Sequence, residues 1–227
     1  MMILCNPQNP VGKIWSLEEL SKIGELCAKN NVVVLSDEIH CDITMPGKLY
    51  VPFASVNDTC KNNCIMAAAP TKTFNLAGIG TSAVIVPNKN LRHKVWRALN
   101  TDECGEPNAF AVQAAVSAYT KGEQWLEELR KYIWDNKKFA EEYIEKEISG
   151  LKAIKSDATY LIWIDVSKTG TDGKTFAKKL RSETGLFISG GNQYGKGGEN
   201  FVRINLATSK SVVEDAMKRL RNFCKSL

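Results

Sequence analysis

Short apolar runs alternate with an amphipathic stretch at the start of this chain. The runs at 2–5 and 32–35, followed later by 64–69 and 81–86, have the length and composition of strands. Between the first two runs, Ser16 and Glu19 have the spacing of a capping box. Apolar residues then recur at helical spacing up to Cys27. A strand, a helix and a strand in this order predict a βαβ unit whose strands are parallel.

The second half of the chain has a different pattern. A long amphipathic helix is predicted over 124–148, with Gly150 as a stop signal. Ser211 and Glu214 predict a second capping box at the start of the last helix. The other predicted elements are helices over 91–100, 108–120 and 173–183, strands over 159–166, 186–189 and 201–206, and a final helix over 211–224. We therefore divide the chain near residue 121, with an α/β part over 1–121 and a long helix followed by an α+β part over 122–227.

Composition and charge narrow the function classes. The chain has 227 residues, 44% of them hydrophobic and 24% charged, with a formal net charge of +5. This charge is scattered. The pairs Lys137-Lys138 and Lys178-Lys179 are interpreted as solvated helix faces, so no nucleic-acid partner is expected. No run of 18 apolar residues occurs, and no basic-then-apolar leader opens the chain, so we expect neither a membrane span nor a secretory signal.

Seven cysteines are present, an odd number, and no Cys-x-x-Cys pair occurs. Cys60 and Cys64 lie four residues apart without a second ligand pair, which argues against a zinc site. Cys27 and Cys224 fall on predicted helix faces and are interpreted as small core residues. This pattern fits a reducing compartment, and we predict a cytoplasmic protein without a structural metal.

Three polar residues follow predicted strands. Asn9 comes after the first run, Asp37 closes the second and Lys72 follows the third. Ligands gather at the carboxyl ends of the strands of a parallel sheet. A lysine amine forms a Schiff base with an aldehyde, a carboxylate keeps a pyridine nitrogen protonated, and an amide donates to a phenolate oxygen. Singly, each residue is more often a solvated loop residue or a cap, but the ordered set predicts a site for pyridoxal 5'-phosphate (PLP).

Four motifs extend this prediction to a family. They are Asn6–Gly12 (NPQNPVG), Ser36–His40 (SDEIH), Pro70–Gly78 (PTKTFNLAG) and Phe201–Ala207 (FVRINLA). In this order they resemble the fold-type I PLP enzymes of the class I/II aminotransferase superfamily, and the second and third are most similar to the cystathionine β-lyase (C–S lyase) subgroup. The resemblance covers essentially the whole chain, which matches the C-terminal part of such enzymes without their N-terminal half.

The resemblance implies a fold and a set of site residues. The fold would be α/β, with part of the PLP-dependent transferase large domain, a mostly parallel sheet with helices, over 1–121 and a C-terminal α+β small domain after it. Lys72 would be the catalytic residue, and Arg203 would bind the substrate α-carboxylate. The implied cofactor-binding residues are Asn9, Asp37, His40, Thr71 and Lys72.

Alternatives remain for two of these residues. Many relatives carry tyrosine at the position of His40, and the lyase subgroup has histidine there. His40 could donate to the cofactor or could be a structural histidine. Arg203 lies on a predicted strand and could grip a carboxylate with both N–H arms, or it could form a surface ion pair.

Two positions depart from the family pattern. Many relatives have a hydroxyl residue three positions before the lysine, where this chain has Ala69. Many aminotransferases have an arginine eight positions after it, where this chain has Gly80. Both departures remove phosphate contacts, and they argue mildly against the aspartate aminotransferase branch.

The expected function is that of a PLP-dependent carbon–sulfur β-lyase acting on a small amino-acid substrate such as cystathionine or a cysteine conjugate. A PLP-dependent aminotransferase is the first alternative, because the two reactions share their early steps. An inactive fragment or interaction module is the second alternative, because the N-terminal half of the family pattern is not found. A homodimer is expected for the full-length protein.

Overall fold

The computed structural model describes residues 1–227, and the chain divides into two compact units. The first unit comprises Met1–Gln8 and Lys13–Leu129, and the second comprises Asn9–Gly12 and Arg130–Leu227. Each unit has its own four-stranded sheet and its own buried apolar cluster. None of the helices combines the length and apolar character that a membrane crossing requires.

The sheet of the first unit is mostly parallel. Its strands, in spatial order, are β1 (Met2–Cys5), β2 (Val34–Asp37), β3 (Cys64–Ala68) and β4 (Ala83–Ile85). β1, β2 and β3 are parallel to one another, and β4 pairs antiparallel with β3. The predicted α/β class with a mostly parallel sheet is therefore confirmed.

The helices of the first unit connect these strands. They are α1 (Leu17–Lys29), α2 (Asp58–Asn62), α3 (Pro70–Thr73), α4 (Lys89–Thr101) and α5 (Ala111–Lys121). The predicted capping box of α1 is confirmed: the Glu19 amide donates to the Ser16 hydroxyl and the Ser16 amide donates to the Glu19 carboxylate. The sequence did not indicate α2, because five residues are too few to establish a helical period.

Apolar residues from all three parallel strands and from α1 form the core of the first unit. Leu20 of α1 and Phe53 of the loop after β2 are fully buried, as are Cys60 and Cys64. All seven cysteines of the chain are free thiols. Cys60 and Cys64 therefore act as small apolar residues, which is a common use of buried cysteine.

The second unit is an antiparallel sheet covered by helices. Its strands are β5 (Lys152–Ile154), β6 (Leu161–Asp165), β7 (Ser189–Gly190) and β8 (Phe201–Asn205), in the order β5-β6-β8-β7. Three helices accompany them: α6 (Glu123–Glu147), which begins in the first unit, α7 (Gly173–Thr184) and α8 (Lys210–Lys225). The rings of Phe176 and Phe223 meet edge to face, 5.1 Å between centroids, in the buried core between α7 and α8.

The prediction for the strand at 186–189 was wrong in its extent. β7 contains only Ser189 and Gly190. Gly185 ends α7 in the left-handed conformation, and the Leu186 amide donates to the Thr184 hydroxyl at 3.2 Å. Phe187 is exposed, with the Arg181 guanidinium 4.8 Å from its ring. Leu186 and Phe187 thus lie in the connection after the helix, and strand pairing begins only at Ser189.

The predicted second capping box was also wrong. α8 begins at Lys210, so Ser211 lies inside the first turn, and the N-cap residue Ser209 makes no side-chain cap bond. The Lys210 amide instead donates to the Tyr132 hydroxyl of α6 at 2.8 Å. A tertiary partner therefore satisfies one of the free N–H groups that a local side chain was expected to satisfy.

One of the two predicted solvated lysine pairs is divided between surface and core. Lys138 is exposed, whereas Lys137, one position earlier on α6, is only 1% exposed. The prediction of a solvated lysine at 137 was therefore wrong. Successive helical residues point about 100° apart, so adjacent lysines need not share an environment.

Candidate active site

Asp37 and Lys72 follow neighbouring parallel strands of the first unit. Asp37 is the last residue of β2 and pairs with Ala67 of β3, and Lys72 lies in α3, which begins directly after β3. The Ile39 amide donates to Asp37 Oδ1 at 3.2 Å, which fixes the carboxylate at the strand end. Lys72 is exposed. A carboxylate and an amine thus lie at the same edge of the sheet, where parallel strands commonly bind ligands.

The short helix that carries Lys72 is anchored beside the loop that follows β2. Pro70 occupies its first position, where a missing N–H costs nothing. The fully buried Thr73 donates its hydroxyl proton to Asp42 Oδ2 at 3.0 Å. This bond joins the residue after Lys72 to the loop after Asp37, so the two strand ends are held together by side chains as well as by the sheet.

Glu38 is a buried acid next to Asp37. It is 2% exposed, and its Oε1 accepts from the Ser36 hydroxyl at 2.8 Å and from the Phe53 amide at 3.0 Å. The Tyr50 hydroxyl donates to its other oxygen. Burial raises the pKa of Glu38 to about 7, against the opposing effect of the Phe53 and Ser36 hydrogen bonds. The residue ties the loop at 50–53 to the end of β2, a role that the sequence analysis missed.

His40 and Thr71 lie in the same unit as Asp37 and Lys72. His40 is 6% exposed, and its carbonyl accepts from the Ile43 amide at 3.0 Å within the tight turn after β2. Thr71 is half-buried, and its carbonyl accepts from the Leu76 amide at 3.1 Å. Four of the six residues predicted for the site therefore lie at or just after the ends of β2 and β3.

An aromatic cluster follows the lysine. The Phe74 ring meets Tyr119 of α5 edge to face at 5.5 Å and stacks on Trp125 at 5.8 Å. A side chain at Gly122 would collide with the Phe74 ring, so this close approach requires glycine. The cluster packs α3 against the end of α5, and only the Phe74 position was part of a recognised motif.

Arg203 and Asn9 form a contact within the second unit. Arg203 lies on β8 between β6 and β7, opposite Trp163 and Ser189. Its Nη1 donates to Asn9 Oδ1 at 3.1 Å, and its guanidinium carbon lies 4.7 Å from the centre of the Tyr194 ring. An arginine has five N–H donors in a planar fork, so the bond to Asn9 leaves donors for a carboxylate ligand.

The surroundings of Arg203 are aromatic. The Trp163 ring stacks on Phe201 at 5.2 Å and meets Tyr194 edge to face at 5.6 Å. Burial raises the pKa of Tyr160, and the positive charge of Arg203 opposes that rise. Neither Tyr160 nor Tyr194 was predicted as a site residue, because an isolated tyrosine before a strand or in a glycine-rich loop has no distinctive sequence signal.

The six predicted residues therefore fall into two groups. Asp37, His40, Thr71 and Lys72 belong to the first unit, and Asn9 belongs with Arg203 to the second. No group of three or more His, Cys, Asp or Glu side chains is arranged to hold a metal ion. Each group offers polar chemistry of its own: an amine with a carboxylate in the first, and a guanidinium with an amide in the second.

Comparison with known proteins agrees with this chemistry. The family model described as aminotransferase class I and II matches residues 1–220. A Bacillus subtilis (strain 168) protein named cystathionine beta-lyase PatB is 41% identical over 221 residues, which are 97% of this chain and 57% of that protein. The chain thus spans a little over half the length of the curated relatives it matches.

Two solved structures have the same fold as this chain. The PLP-bound putative aminotransferase from Clostridium difficile 630 has a TM-score of 0.94 and 38% sequence identity, over 98% of this chain and 57% of that one. Cystalysin from Treponema denticola, described as containing a pyridoxal 5'-phosphate cofactor, has a TM-score of 0.95 and 32% identity, over 99% of this chain and 57% of that one.

Proposed function

Since this chain belongs to the aminotransferase class I and II family, we propose that it supplies most of the active site of a PLP-dependent carbon–sulfur β-lyase. The observation that carries the proposal is the placement of Asp37 at the end of β2 and of Lys72 just after the neighbouring parallel strand β3. The 41% identity to a protein named cystathionine beta-lyase supports the lyase reaction over others.

The donor set fits PLP. An exposed primary amine at Lys72 can attach an aldehyde, and the Asp37 carboxylate can pair with a protonated ring nitrogen. Two positions contribute less than the family pattern: Ala69 has no hydroxyl, and Gly80 has no side chain to contact a phosphate. Bound PLP would supply an electron sink that stabilises negative charge at the substrate Cα.

We assign a role to each predicted residue on this basis. Lys72 would attach the cofactor and then, as a free amine, remove the proton from the substrate Cα. Asp37 would hold the proton on the ring nitrogen. Asn9 and His40 would donate hydrogen bonds to the phenolic oxygen of the cofactor, and Thr71 would contact its phosphate.

Arg203 would bind the α-carboxylate of the amino-acid substrate. Its guanidinium is held by Asn9 and by the Tyr194 ring, so the side chain is already ordered before a ligand arrives. An ordered arginine loses less conformational entropy when it binds a carboxylate. With the carboxylate fixed there, loss of the Cα proton would be followed by departure of the β-thiolate as a thiol. Hydrolysis of the remaining three-carbon unit by water would then yield pyruvate and ammonia from cystathionine or a cysteine conjugate.

We further propose the setting in which this activity occurs. Residues 1–121 would be the C-terminal part of the large PLP-binding domain, and 122–227 would be the connecting helix and small domain. The mostly parallel sheet of the first unit and the antiparallel sheet of the second support this division. The seven free cysteines support a cytoplasmic location. We propose a homodimer for the full-length protein.

An aminotransferase reaction is the second candidate. It is favoured by the 38% identity to a structure described as a putative aminotransferase. Product analysis separates the two reactions, because a lyase releases pyruvate and thiol without an acceptor, whereas a transferase requires a keto acid.

The test is whether Lys72 attaches the cofactor. The purified chain is mixed with PLP, its visible absorption is recorded, and the adduct is reduced with borohydride and located by peptide mapping. We expect a band and a label at Lys72, both lost in Lys72→Ala. Lys89→Ala, which removes another exposed lysine of the same unit, should keep both.

A label spread evenly over surface lysines in all three proteins would count against the assignment of Lys72. In the full-length enzyme, we expect Lys72→Ala to lower turnover by several orders of magnitude, since the attachment point and the base are lost together. Pyruvate release at the parent rate in that variant would refute the catalytic role.

A further inference from the structure

Lys137 of α6 is a buried lysine that the proposed reaction does not use. Its Nζ donates to the Ser156 hydroxyl at 2.5 Å and to the carbonyls of Ala158 and Thr159, each at 3.1 Å. The Trp134 ring lies 4.8 Å from the same atom. An ammonium has three N–H donors and no acceptor, and here all three donors have an oxygen partner.

The loop at 156–159 that Lys137 contacts is strained. Thr159 is fully buried with a φ of 67°, in the left-handed region that β-branched residues rarely adopt. Its carbonyl is one of the oxygens bonded to Lys137. A strained residue persists only where its surroundings hold it, so the ammonium is part of what keeps this loop in shape.

The same loop also holds the segment that carries Asn9. The amides of Asp157 and Ala158 both donate to the Gly12 carbonyl at 2.9 Å. Gly12 has a φ of 77°, and a side chain there would collide with the Ala158 carbonyl and lie 2.8 Å from the Ser156 Cβ. The loop therefore contacts both the Lys137 ammonium and the segment Asn9–Gly12.

Asn136, which precedes Lys137 on α6, anchors the strand that carries Arg203. Asn136 is buried and donates from Nδ2 to the carbonyls of Leu206 and Thr208, at 3.1 and 3.0 Å. Two adjacent residues of α6 thus fix the two partners of the Asn9–Arg203 hydrogen bond. Asn136 holds the end of the arginine's strand, and Lys137 holds the loop on which the asparagine's segment rests.

We propose that Lys137 is a positioning residue that keeps Asn9 in contact with Arg203 and so shapes the carboxylate-binding site. The inference deepens the proposed function, on which the role of Arg203 rests. A neutral amine has only two N–H donors, so loss of the proton would break one of the three bonds to the loop. The protonation state of Lys137 therefore sets how firmly Asn9 is placed.

Burial lowers the pKa of Lys137 to about 8. The charged groups that face it are Glu141 on its own helix and Asp157 on the loop, and both favour the ammonium form. The Tyr160 phenol lies near Arg203, and burial raises its pKa above the ordinary value of 10.0. A change at Arg203 near pH 8 would therefore originate from Lys137 and be separate from the ionisation of Tyr160.

The test uses the isotope-labelled chain in solution, without cofactor. Amide exchange of Asp157 and Ala158 reports the bond to Gly12, and the signals of the Arg203 guanidinium N–H groups report the bond that Nη1 donates to Asn9. In Lys137→Met we expect about tenfold to a hundredfold lower protection of the two loop amides, with little change in the ladder between β6 and β8. Lys138→Met, which changes the exposed neighbour, should have the same amide protection and the same Arg203 signal as the parent.

A pH titration separates positioning from simple packing. In the parent, the signals of the Arg203 guanidinium N–H groups should shift with one step near pH 8, and Lys137→Met should lack that step. Three outcomes would each overturn the inference. The first two concern Lys137→Met: unchanged protection at Asp157 and Ala158, or a uniform loss of protection across the second unit. The third is an Arg203 signal that does not change with pH in the parent.

A second variant covers the possibility that Lys137→Met does not fold. Ser156→Ala removes only one acceptor, and we expect a smaller loss of loop protection with the pH step retained. An unaltered loop in Ser156→Ala, together with an absent pH step in the parent, would overturn the inference. These measurements need no PLP, so a failure to bind cofactor would refute the proposed function and leave this inference standing.

Discussion

Replacement of the buried Glu38 by glutamine should change how the stability of the first unit depends on pH. The carboxyl is 2% exposed and accepts hydrogen bonds from Ser36, Tyr50 and Phe53. Glutamine has nearly the same shape, keeps one acceptor oxygen and carries no charge. The substitution therefore removes the ionisation of this group while leaving most of its packing in place.

The magnitude follows from the pKa. Burial raises the pKa of Glu38 from 4.5 to about 7. At about 1.4 kcal/mol per pKa unit, this difference is worth about 3 kcal/mol. The folded state binds the proton more tightly than the unfolded state, so the contribution is fully present below about pH 4.5 and is lost as the pH rises through about 7.

The assay is urea unfolding of the parent and Glu38→Gln between about pH 4.5 and about pH 8. Unfolding of this unit can be read by pulse labelling of the buried thiols Cys60 and Cys64, with every pulse given at one common pH. We expect the free energy of unfolding of the parent, relative to Glu38→Gln, to fall by about 3 kcal/mol across this range. Glu106→Gln, a change at an exposed glutamate, should run parallel to the parent.

One result would refute the reasoning. If the curves of the parent and Glu38→Gln stay parallel over the whole range, then Glu38 does not ionise within it. The three hydrogen bonds would then outweigh the cost of burial, and Glu38 would be a stably charged residue throughout. A relative fall confined to pH values well above 7 would instead point to another titrating group.

Two further substitutions test the packing and the caps. Phe176→Ala removes a fully buried ring that contacts Phe223, so we expect the second unit to lose about 3–5 kcal/mol of unfolding free energy in urea. A loss below about 1 kcal/mol, on the order of that for a surface substitution, would contradict the packing described. Ser16→Ala breaks the capping box of α1 and should lower the free energy of unfolding of the first unit by about 1 kcal/mol in the same measurement. An unchanged urea midpoint would show that the Lys13–Glu19 ion pair maintains the helix start without the cap.

The candidate site was predictable where its chemistry follows strands directly. Asp37 ends β2 and Lys72 follows β3, so the order of apolar runs and polar residues placed both at one edge of the first sheet. Glu38 was not recognised, although an acid after an apolar run and two residues past Ser36 is a usable signal of a buried carboxylate. Tyr194 and Asp42 offered no such signal, because their partners lie on other elements.

Local interactions determined what the sequence alone could establish about this protein. The capping box of α1, the helical spacing of apolar residues along the long helix α6, and the alternation of strands and helices depend on residues a few positions apart. A local pattern favours such interactions without guaranteeing them, since the pattern at Ser211 and Glu214 formed no capping box. The motif order, which is also a property of the sequence, was sufficient to indicate the family.

Tertiary structure alone decided the features whose partners are distant in the chain. The Arg203–Asn9 bond joins residues 194 positions apart, and the Tyr132 hydroxyl meets the Lys210 amide across 78 positions. Lys137 is buried because a loop about 20 residues later supplies three oxygens for its ammonium, whereas Lys138 points to solvent. The local sequence does not specify which distant group will contact a given residue. The burial of the Lys137 ammonium and the contact of Tyr132 with the start of α8 are therefore determined only by the folded structure.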